Sequence, residues 1–338
     1  MYFKKFSCFF IFFCGLCLGI FFGHGRSDFS HFLNFIRQFN LHRTTPIENN
    51  FWLTIFLDIR LPRVVLGSLC GASLATAGVL SQTLFRNALA SPTILGISGG
   101  STFFAILAFY FGIEWSLKYT VPCSAFIGAI ISIMILLTIM LKKGFWQLDR
   151  LLLAGLAISS LWGALTSLTL SLSLAEYQKI NSMMHWLLGG LVGLTWEHFY
   201  WLFIPFFFGF LFSYLKGASL DIYVLGEDAA TGLSIDVRRL KMVLLAVMAF
   251  LVSSVVSLVG NLPFIGLLVP HMTRLFLGPK HKSLLLYSAI NGMSLTLLAD
   301  VIARTIKYPE EIEVGVFTAL MGAPFFLFML LREKREMP

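Results

Sequence analysis

The sequence predicts an all-α membrane protein with about ten transmembrane helices. Hydrophobic residues make up 57% of its 338 residues and charged residues only 12%, whereas a soluble domain carries about 25% charged residues. The apolar residues form continuous runs of roughly 20, the length that crosses about 30 Å of hydrocarbon as a helix. Continuous runs exclude a transmembrane barrel, whose strands alternate over segments of about ten residues.

Ten apolar runs predict ten spans. The first follows Lys4 and Lys5, and we expect a retained helix there, with a cleaved signal peptide as the alternative. The eighth run is short and interrupted by prolines. We expect a mixed loop over 176–197. The predicted spans are residues 6–23, 61–85, 93–111, 119–141, 151–174, 198–215, 242–259, 262–277, 283–303 and 314–331.

The basic residues predict which way the chain crosses the membrane. With both termini in the cytoplasm, sixteen of the 25 Lys and Arg residues fall on the cytoplasmic side and nine fall outside. Cytoplasmic loops of membrane proteins carry an excess of Lys and Arg, so this distribution favours cytoplasmic termini. The net charge of +8 is therefore attributed to membrane topology, and we expect no nucleic acid partner. The five cysteines lie in apolar runs and indicate no disulfide framework.

The segment 220–237 lies between the sixth and seventh predicted spans and contains four acidic residues. Charged residues at this density cannot lie in hydrocarbon, so we expect a structured loop at a membrane face. Gly226 and Gly232 enclose a stretch that suits a short helix. Two interpretations are open: a site through which a separate motor protein drives the membrane part, or an ordinary solvated loop.

The sequence contains none of the common catalytic patterns. It has no G-x-x-x-x-G-K-[ST] loop for ATP, no zinc-like ligand spacing and no Ser/His/Asp arrangement. We therefore predict no catalytic, cofactor-binding or metal-ligating residue, and a chain that is not an enzyme. Asp300 is the main intramembrane acid, and Arg304 lies one helical turn away, which favours a structural ion pair. An ion-coupled secondary transporter, which would need such an acid, is the alternative.

Short motifs follow one another in a fixed order between residues 60 and 332. They are Arg60-Leu-Pro-Arg63 and the stretches 71–78, 86–92, 95–99, 225–230, 260–274, 300–304 and 314–326. This ordered set resembles the FecCD family, the permease subunits of ABC importers for iron–siderophore complexes, haem and cobalamin. Three positions depart from the family pattern: Ala88 and Glu313 each stand where proline is usual, and Pro263 is unusual before Phe264.

The resemblance implies a type II ABC importer permease fold, with residues 1–338 as a single permease domain. It implies a homodimer with the pathway along the shared axis and two ABC ATPase subunits beneath it. The loop 220–237 would then carry a coupling helix over 226–234 that the ATPase receives in a groove. The coupling residues implied are Leu225, Gly226, Glu227, Ala230, Gly232 and Leu233.

The resemblance also implies a docking site for a periplasmic or lipid-anchored substrate-binding protein. Arg60, Arg63 and Arg304 fall where cobalamin permeases of the family hold arginines that meet acidic residues of that protein. The charge distribution places the same three residues outside. Arginine suits the task because its guanidinium pairs bidentately with carboxylate. Arginines that merely extend to the membrane interface are the alternative.

Asn87 and Leu89 fall where the family narrows its cytoplasmic exit, although this break is also a plain helix end. The pathway is expected along the fifth span, through Gly155, Ser159, Gly163 and Ser167. The tenth span could line it around Gly315, Thr318 and Gly322, and packing within the chain is the alternative for these three.

The function implied is import of an iron chelate, siderophore or haem, across the inner membrane of a bacterium. A separate ATPase subunit would supply the energy. A cobalamin permease of the same family is the nearest alternative. His271 is interpreted as a structural hydrogen-bonding group. The outer-side histidines, His24, His31, His42, His185 and His198, could meet a haem iron, although lone surface histidines usually bind nothing.

Overall fold

The computed structural model describes residues 2–21, 54–113, 119–141, 148–307 and 310–333. Within these ranges all regular structure is helical, which confirms the predicted all-α class. A π-helical turn, Ile55–Arg60, leads into the second helix, and short 3₁₀ turns cover Pro92–Leu95 and Trp196–His198. The α-helices of the described ranges are α1 (Tyr2–Phe21), α2 (Leu61–Leu84), α3 (Ile97–Tyr110), α4 (Thr120–Leu141), α5 (Leu148–Leu172), α6 (Tyr177–Leu188), α7 (Phe199–Leu215), α8 (Gly217–Val224), α9 (Glu227–Gly232), α10 (Val237–Val259), α11 (Ile265–Leu277), α12 (His281–Thr305) and α13 (Val314–Glu333).

Each of the ten predicted apolar runs coincides with one of these helices, but ten is only an approximate count of membrane crossings. Six helical segments of the described ranges are long and apolar enough to cross a bilayer: Ile55–Leu84, Thr120–Leu141, Arg150–Leu172, Trp196–Leu215, Val237–Val259 and His281–Thr305. Helices α3 and α11 have only 14 and 13 residues. At 1.5 Å per residue each is about 20 Å long, which is less than the hydrocarbon thickness of about 30 Å.

Helix α2 forms the centre of the structure and is buried along almost its whole length. Glycines let its backbone approach two neighbours closely. A methyl group at Gly71 would overlap the carbonyl of Gly292 in α12, and one at Gly78 would overlap the carbonyl of Gly266 in α11. Small residues allow such close contact between membrane helices, where packing replaces the hydrophobic driving force. The α2–α11–α12 group is therefore tightly fitted.

Two helices were missed by the sequence analysis. The segment 176–197, expected to be a mixed loop, contains α6, which follows Glu176 and buries Met183. Its polar first turn, where Lys179 pairs with Glu176 at 2.8 Å, conceals the helix in a hydropathy reading. Helix α8 was also missed, because it starts directly after α7 at Gly217 and ends inside the charged segment. The charged segment 220–237 thus contains the last part of α8, all of α9 and the first residue of α10, joined by the turns 225–226 and 233–236.

Candidate functional site

The short helix predicted between Gly226 and Gly232 is present as α9. Gly226 precedes it with φ of 138°, a backbone conformation that favours glycine. The chain leaves α9 through Ser234, which has φ of 59°, and the amide of Ile235 donates to the carbonyl of Ala230 at 3.0 Å. Two unusual backbone conformations, at Gly226 and Ser234, therefore fix the direction in which the chain enters and leaves α9. We call the end of the molecule that carries it the α9 end.

Glu227 joins α9 to two other parts of the α9 end. Its Oε1 lies 3.2 Å from Nη2 of Arg86, just beyond the end of α2, and 2.8 Å from Nζ of Lys241 in α10. The Lys241 side chain is almost completely buried, whereas Glu227 is 41% exposed. A buried ammonium needs a charged partner, so Glu227 is directed into the protein and anchors α9 there.

Tyr223 reinforces the same junction from α8. Its ring is fully buried and its hydroxyl donates to the carbonyl of Leu84, the last residue of α2, at 3.0 Å. The Arg86 guanidinium carbon lies 4.6 Å from the ring centroid, within range of a cation–π interaction. Burial raises the pKa of Tyr223 to about 12, and the Arg86 charge opposes this shift. The hydroxyl therefore keeps its proton and its hydrogen bond at neutral pH.

Asp221 connects α8 to the start of α12. One carboxylate oxygen accepts from the His281 backbone amide at 2.9 Å and lies 2.6 Å from His281 Nδ1. The other ring nitrogen lies 2.8 Å from Oγ1 of Thr83 in the last turn of α2. Together with Glu227 and Tyr223, these contacts bind α8 and α9 to the ends of α2, α10 and α12.

Two exposed leucines flank α9. Leu225 is 79% exposed and Leu233 is 64% exposed, which is unusual for large apolar side chains. Charged residues lie close to both in the sequence. Ala230 between them is fully buried and packs α9 against the body of the protein. An exposed apolar surface rimmed by charges is typical of a protein contact site. Of the six predicted coupling residues, two are thus exposed, two are directed inward, and Gly226 and Gly232 border the helix.

The predicted exit residues lie directly beside this junction. Arg86 lies two residues beyond the end of α2 and has φ of 49°, and Asn87 follows it with an exposed side chain. Asn87 Oδ1 accepts from the amide of Leu89 at 2.8 Å, which holds the turn in place. Leu89 is half-buried. The structure therefore brings the predicted exit segment and the predicted coupling helix together through one arginine.

The fifth-span residues divide into two groups. Gly155 is buried against the carbonyl of Ile94, and Ser159 donates to Gly155 at 2.8 Å and approaches Ile94 at 3.5 Å. Gly163 and Ser167 are exposed. The first pair thus fastens α5 to the segment after the exit residues, and only the second pair has an open surface.

In α13, the residues proposed for the pathway pack within the chain. Thr318 is buried, and a methyl group at Gly315 would overlap the carbonyl of Leu188. One at Gly322 would overlap the side chain of Phe264. For these three, the alternative of packing within the chain describes the structure.

The three predicted docking arginines lie at the opposite end, but two of them are turned inward. Arg63 donates to Asp300 Oδ1 from Nε at 3.0 Å and from Nη2 at 2.7 Å, and to both carboxylate oxygens of Glu311 at 3.1 and 2.8 Å. Arg304 Nε lies 3.2 Å from Asp300 Oδ2, which confirms the predicted ion pair. Arg63 and Arg304 are 8% and 3% exposed, and Arg60 is partly exposed. The buried carboxylate of Asp300, together with the partly buried carboxylate of Glu311, holds the guanidinium groups of Arg63 and Arg304 inside the protein.

Two outer-side histidines have polar partners. His185 Nδ1 lies 2.8 Å from Glu313 Oε1, and His198 Nδ1 accepts from the amide of Thr195 at 3.2 Å. His24, His31 and His42 lie outside the described residues. His271 in α11 is buried. In the described part of the chain, no three His, Cys, Asp or Glu side chains gather into a possible metal site.

Several residues of the α9 junction escaped the sequence analysis. Tyr223, His281 and Thr83 stood in no motif that predicts their contacts. Their partners are 60 to 198 residues away in the chain. Glu311 likewise meets Arg63 across 248 residues. No signal in a single sequence identifies such pairs.

Comparison with known proteins gives a consistent result. The FecCD transport family matches residues 10–332. The hemin transport system permease protein HmuU of Yersinia pestis is 36% identical over 298 residues, which cover 86% of this chain and 87% of HmuU. The Fe(3+) dicitrate transport system permease protein FecD of Escherichia coli is 38% identical and covers 82% of this chain and 85% of its own. The cobalamin import system permease protein BtuC of Halobacterium salinarum is 38% identical over 80% of this chain and 72% of BtuC.

Two solved structures are also similar. One is an inward-facing conformation of a metal-chelate type ABC transporter, with a TM-score of 0.83, 27% identity and coverage of 97% of this chain and 98% of that one. The other, PsaBC from Streptococcus pneumoniae, has a TM-score of 0.59 and 19% identity and shares the fold alone.

Proposed function

The chain belongs to the FecCD transport family as an ABC importer permease, and from this premise we propose that it carries an iron chelate, siderophore or haem, using the energy of a separate ATPase. The observation that carries the proposal is α9, which is flanked by the exposed Leu225 and Leu233 and joined to the body of the protein by the ion pairs of Glu227. Such a helix can receive a partner on one side and transmit its movement on the other.

The path of transmission follows from the contacts of the α9 junction. Movement of α9 pulls on Arg86 through Glu227, and Arg86 begins the turn that holds Asn87 and Leu89. The same segment continues to Ile94, which packs against Gly155 and Ser159 of α5. Short helices and tight turns transmit rigid-body shifts well, because packed elements switch between discrete arrangements. ATP-driven closure of the ATPase would thereby open or close the exit and shift the wall of the pathway.

A second copy of the chain is the proposed partner of α5 and α13. Both helices expose large apolar side chains: Leu156 and Leu168 in α5, Leu320 and Leu327 in α13. Closed twofold symmetry is the commonest solution for two identical chains, and it puts the same helices on both sides of an axis. The exposed Gly163 and Ser167 would then line a pathway between the copies.

The substrate is inferred from the relatives. Similar proteins are named for hemin, Fe(3+) dicitrate and cobalamin transport. An iron chelate is proposed ahead of cobalamin, and the exposed Gly163 and Ser167 together with the apolar side chains of α5 offer little chemical selectivity between them. A substrate-binding protein would therefore select the cargo, and Arg60, which is partly exposed, is the candidate for its docking. Asp300 is paired with two arginines, Arg63 and Arg304, which disfavours an ion-coupled transporter.

We place the chain in a bacterial inner membrane with the α9 end and both termini in the cytoplasm.

The test is coupled transport in proteoliposomes that contain the permease, its ATPase and its binding protein loaded with a chelate. Glu227→Lys should retain assembly but reduce the uptake per ATP hydrolysed at least tenfold, because it sets a positive charge against Arg86 and Lys241. Asp228→Lys is the matched control, since Asp228 is the adjacent exposed acid and should leave coupling unchanged. Equal coupling in the two variants would refute the assignment of α9.

A further inference from the structure

An apolar groove lies among α1, α11 and α12, away from every contact used above. It encloses about 640 Å³ and is lined by Ile11 of α1, Met272 and Phe276 of α11, and Leu295 and Leu298 of α12. Phe276 is 56% exposed although it is a large aromatic side chain. The groove opens on the outside of the helix bundle, where a membrane protein meets lipid.

The groove belongs to the α9 end of the molecule. Gly15 of α1 packs against Leu297 of α12, and farther along Arg304 donates to the carbonyl of Gly19 at 3.0 Å, so the two helices run parallel. His281, the first residue of α12, is bound to Asp221 of α8. Both helices therefore start at the α9 end. The last residue of α11, Leu277, lines the groove at that same end.

The mouth of the groove is basic. Lys280 directly precedes α12, three residues after Leu277, and its side chain is exposed and forms no ion pair with any residue in the described ranges. Lys4 and Lys5 lie in the first two turns of α1. The stretches 1–27 and 265–299 contain no Asp or Glu. The nearby Asp221 has its charge directed at His281. The apolar groove thus ends close in sequence to an exposed lysine, Lys280, which has no acidic partner among the described residues.

We propose that this groove binds one anionic phospholipid of the cytoplasmic leaflet, with an acyl chain against Phe276 and Leu295 and the phosphate at Lys280. The inference rests on the orientation proposed above, which puts the α9 end in the cytoplasm. Hydrocarbon fits a groove whose lining is mostly apolar, with Asn291 and Ser294 as its polar residues. A basic group at its cytoplasmic mouth attracts anionic headgroups. Charge thereby favours an anionic occupant, because the ammonium group of a zwitterionic lipid offsets the charge of its phosphate and weakens the attraction to Lys280.

The test measures lipid retained by the purified full-length chain with native mass spectrometry. The probes are phosphatidylglycerol and a phosphatidylethanolamine with the same acyl chains. Phosphatidylglycerol should be retained in preference, and Lys280→Glu should lower its affinity at least about fivefold, the effect of one lysine near a membrane surface. Lys216→Glu, the same change at another exposed lysine of the α9 end, should leave retention unchanged.

A second pair of variants locates the lipid. Leu295→Trp fills the groove and should abolish selective retention, whereas Leu286→Trp, at an exposed position of the same helix outside the groove, should preserve it. A phosphatidylglycerol with a diazirine in its acyl chain should label peptides of α1, α11 and α12. Equal retention of both lipids, or labelling spread over all lipid-facing helices, would overturn the proposal. The assay needs neither ATP nor a partner chain, so its outcome is independent of coupled uptake.

Discussion

Replacing Asp300 with asparagine should destabilise the folded protein, and any loss of transport should follow from this destabilisation. Asp300 is completely buried and accepts two hydrogen bonds from Arg63, with Arg304 as a second ionic neighbour. The substitution keeps the size of the side chain and removes one negative charge. Arg63 retains Glu311, but Arg304 loses the carboxylate and keeps only its bond to the carbonyl of Gly19. Breaking a buried ion pair in this way costs about 3–5 kcal/mol, and the retained Glu311 favours the lower value.

The assay is equilibrium unfolding of the purified chain in detergent, followed by circular dichroism. Glu310→Gln is the control, since it removes a charge from an exposed pair with Lys307 and should change stability by less than about 0.5 kcal/mol. Adding Arg304→Gln to Asp300→Asn should recover part of the loss, because the cluster regains electrical neutrality. A stable Asp300→Asn variant that has lost uptake would refute this reasoning and favour the ion-coupled alternative.

Two further predictions concern the α9 junction and the central helix. The pKa of Tyr223 is raised from 10.0 to about 12. The folded state should therefore lose stability as pH rises from 10 towards 12, because the tyrosine ionises in the unfolded chain but not in the folded one. In Tyr223→Phe, this part of the alkaline loss of stability should be absent from an unfolding series across the same pH range. Gly71→Ala should prevent a stable fold, because the added methyl group would overlap the backbone of α12. Gly163→Ala is the control and should express normally, because nothing lies within 4 Å of its added methyl group. The measurement is the yield of monodisperse protein after gel filtration.

Local pattern predicted the helices and the short α9, because hydrophobicity and glycine act over a few neighbouring residues. Gly226 and Gly232 announced α9 correctly. Helices α6 and α8 were missed because their polar residues resemble loop sequence. The inward turn of Arg63 could not be read from the chain, since it depends on Asp300 and Glu311, which lie 237 and 248 residues away.

The same distinction applies to the proposed site. The sequence brought Glu227 to attention but not its partners Arg86 and Lys241, although all three carry charge. Charge complementarity becomes informative only when folding sets distances of 3.2 and 2.8 Å. Family resemblance predicted a coupling role for this segment, and the contacts suggest a route by which a force on it would reach the proposed exit.

The glycine contacts of α2 also determine where the molecule can deform. Backbone lies against backbone at Gly71 with Gly292 and at Gly78 with Gly266, so no side chain is present there to change rotamer and absorb a shift. Helices α2, α11 and α12 must then travel as one stiff unit. The flexibility that the proposed transport cycle requires would then come from the side-chain contacts of α5 and from the turn at Arg86. Substitutions meant to change the rate of transport should therefore be made at those contacts. Substitutions at the glycine contacts should affect folding of the protein and not the rate of its conformational change.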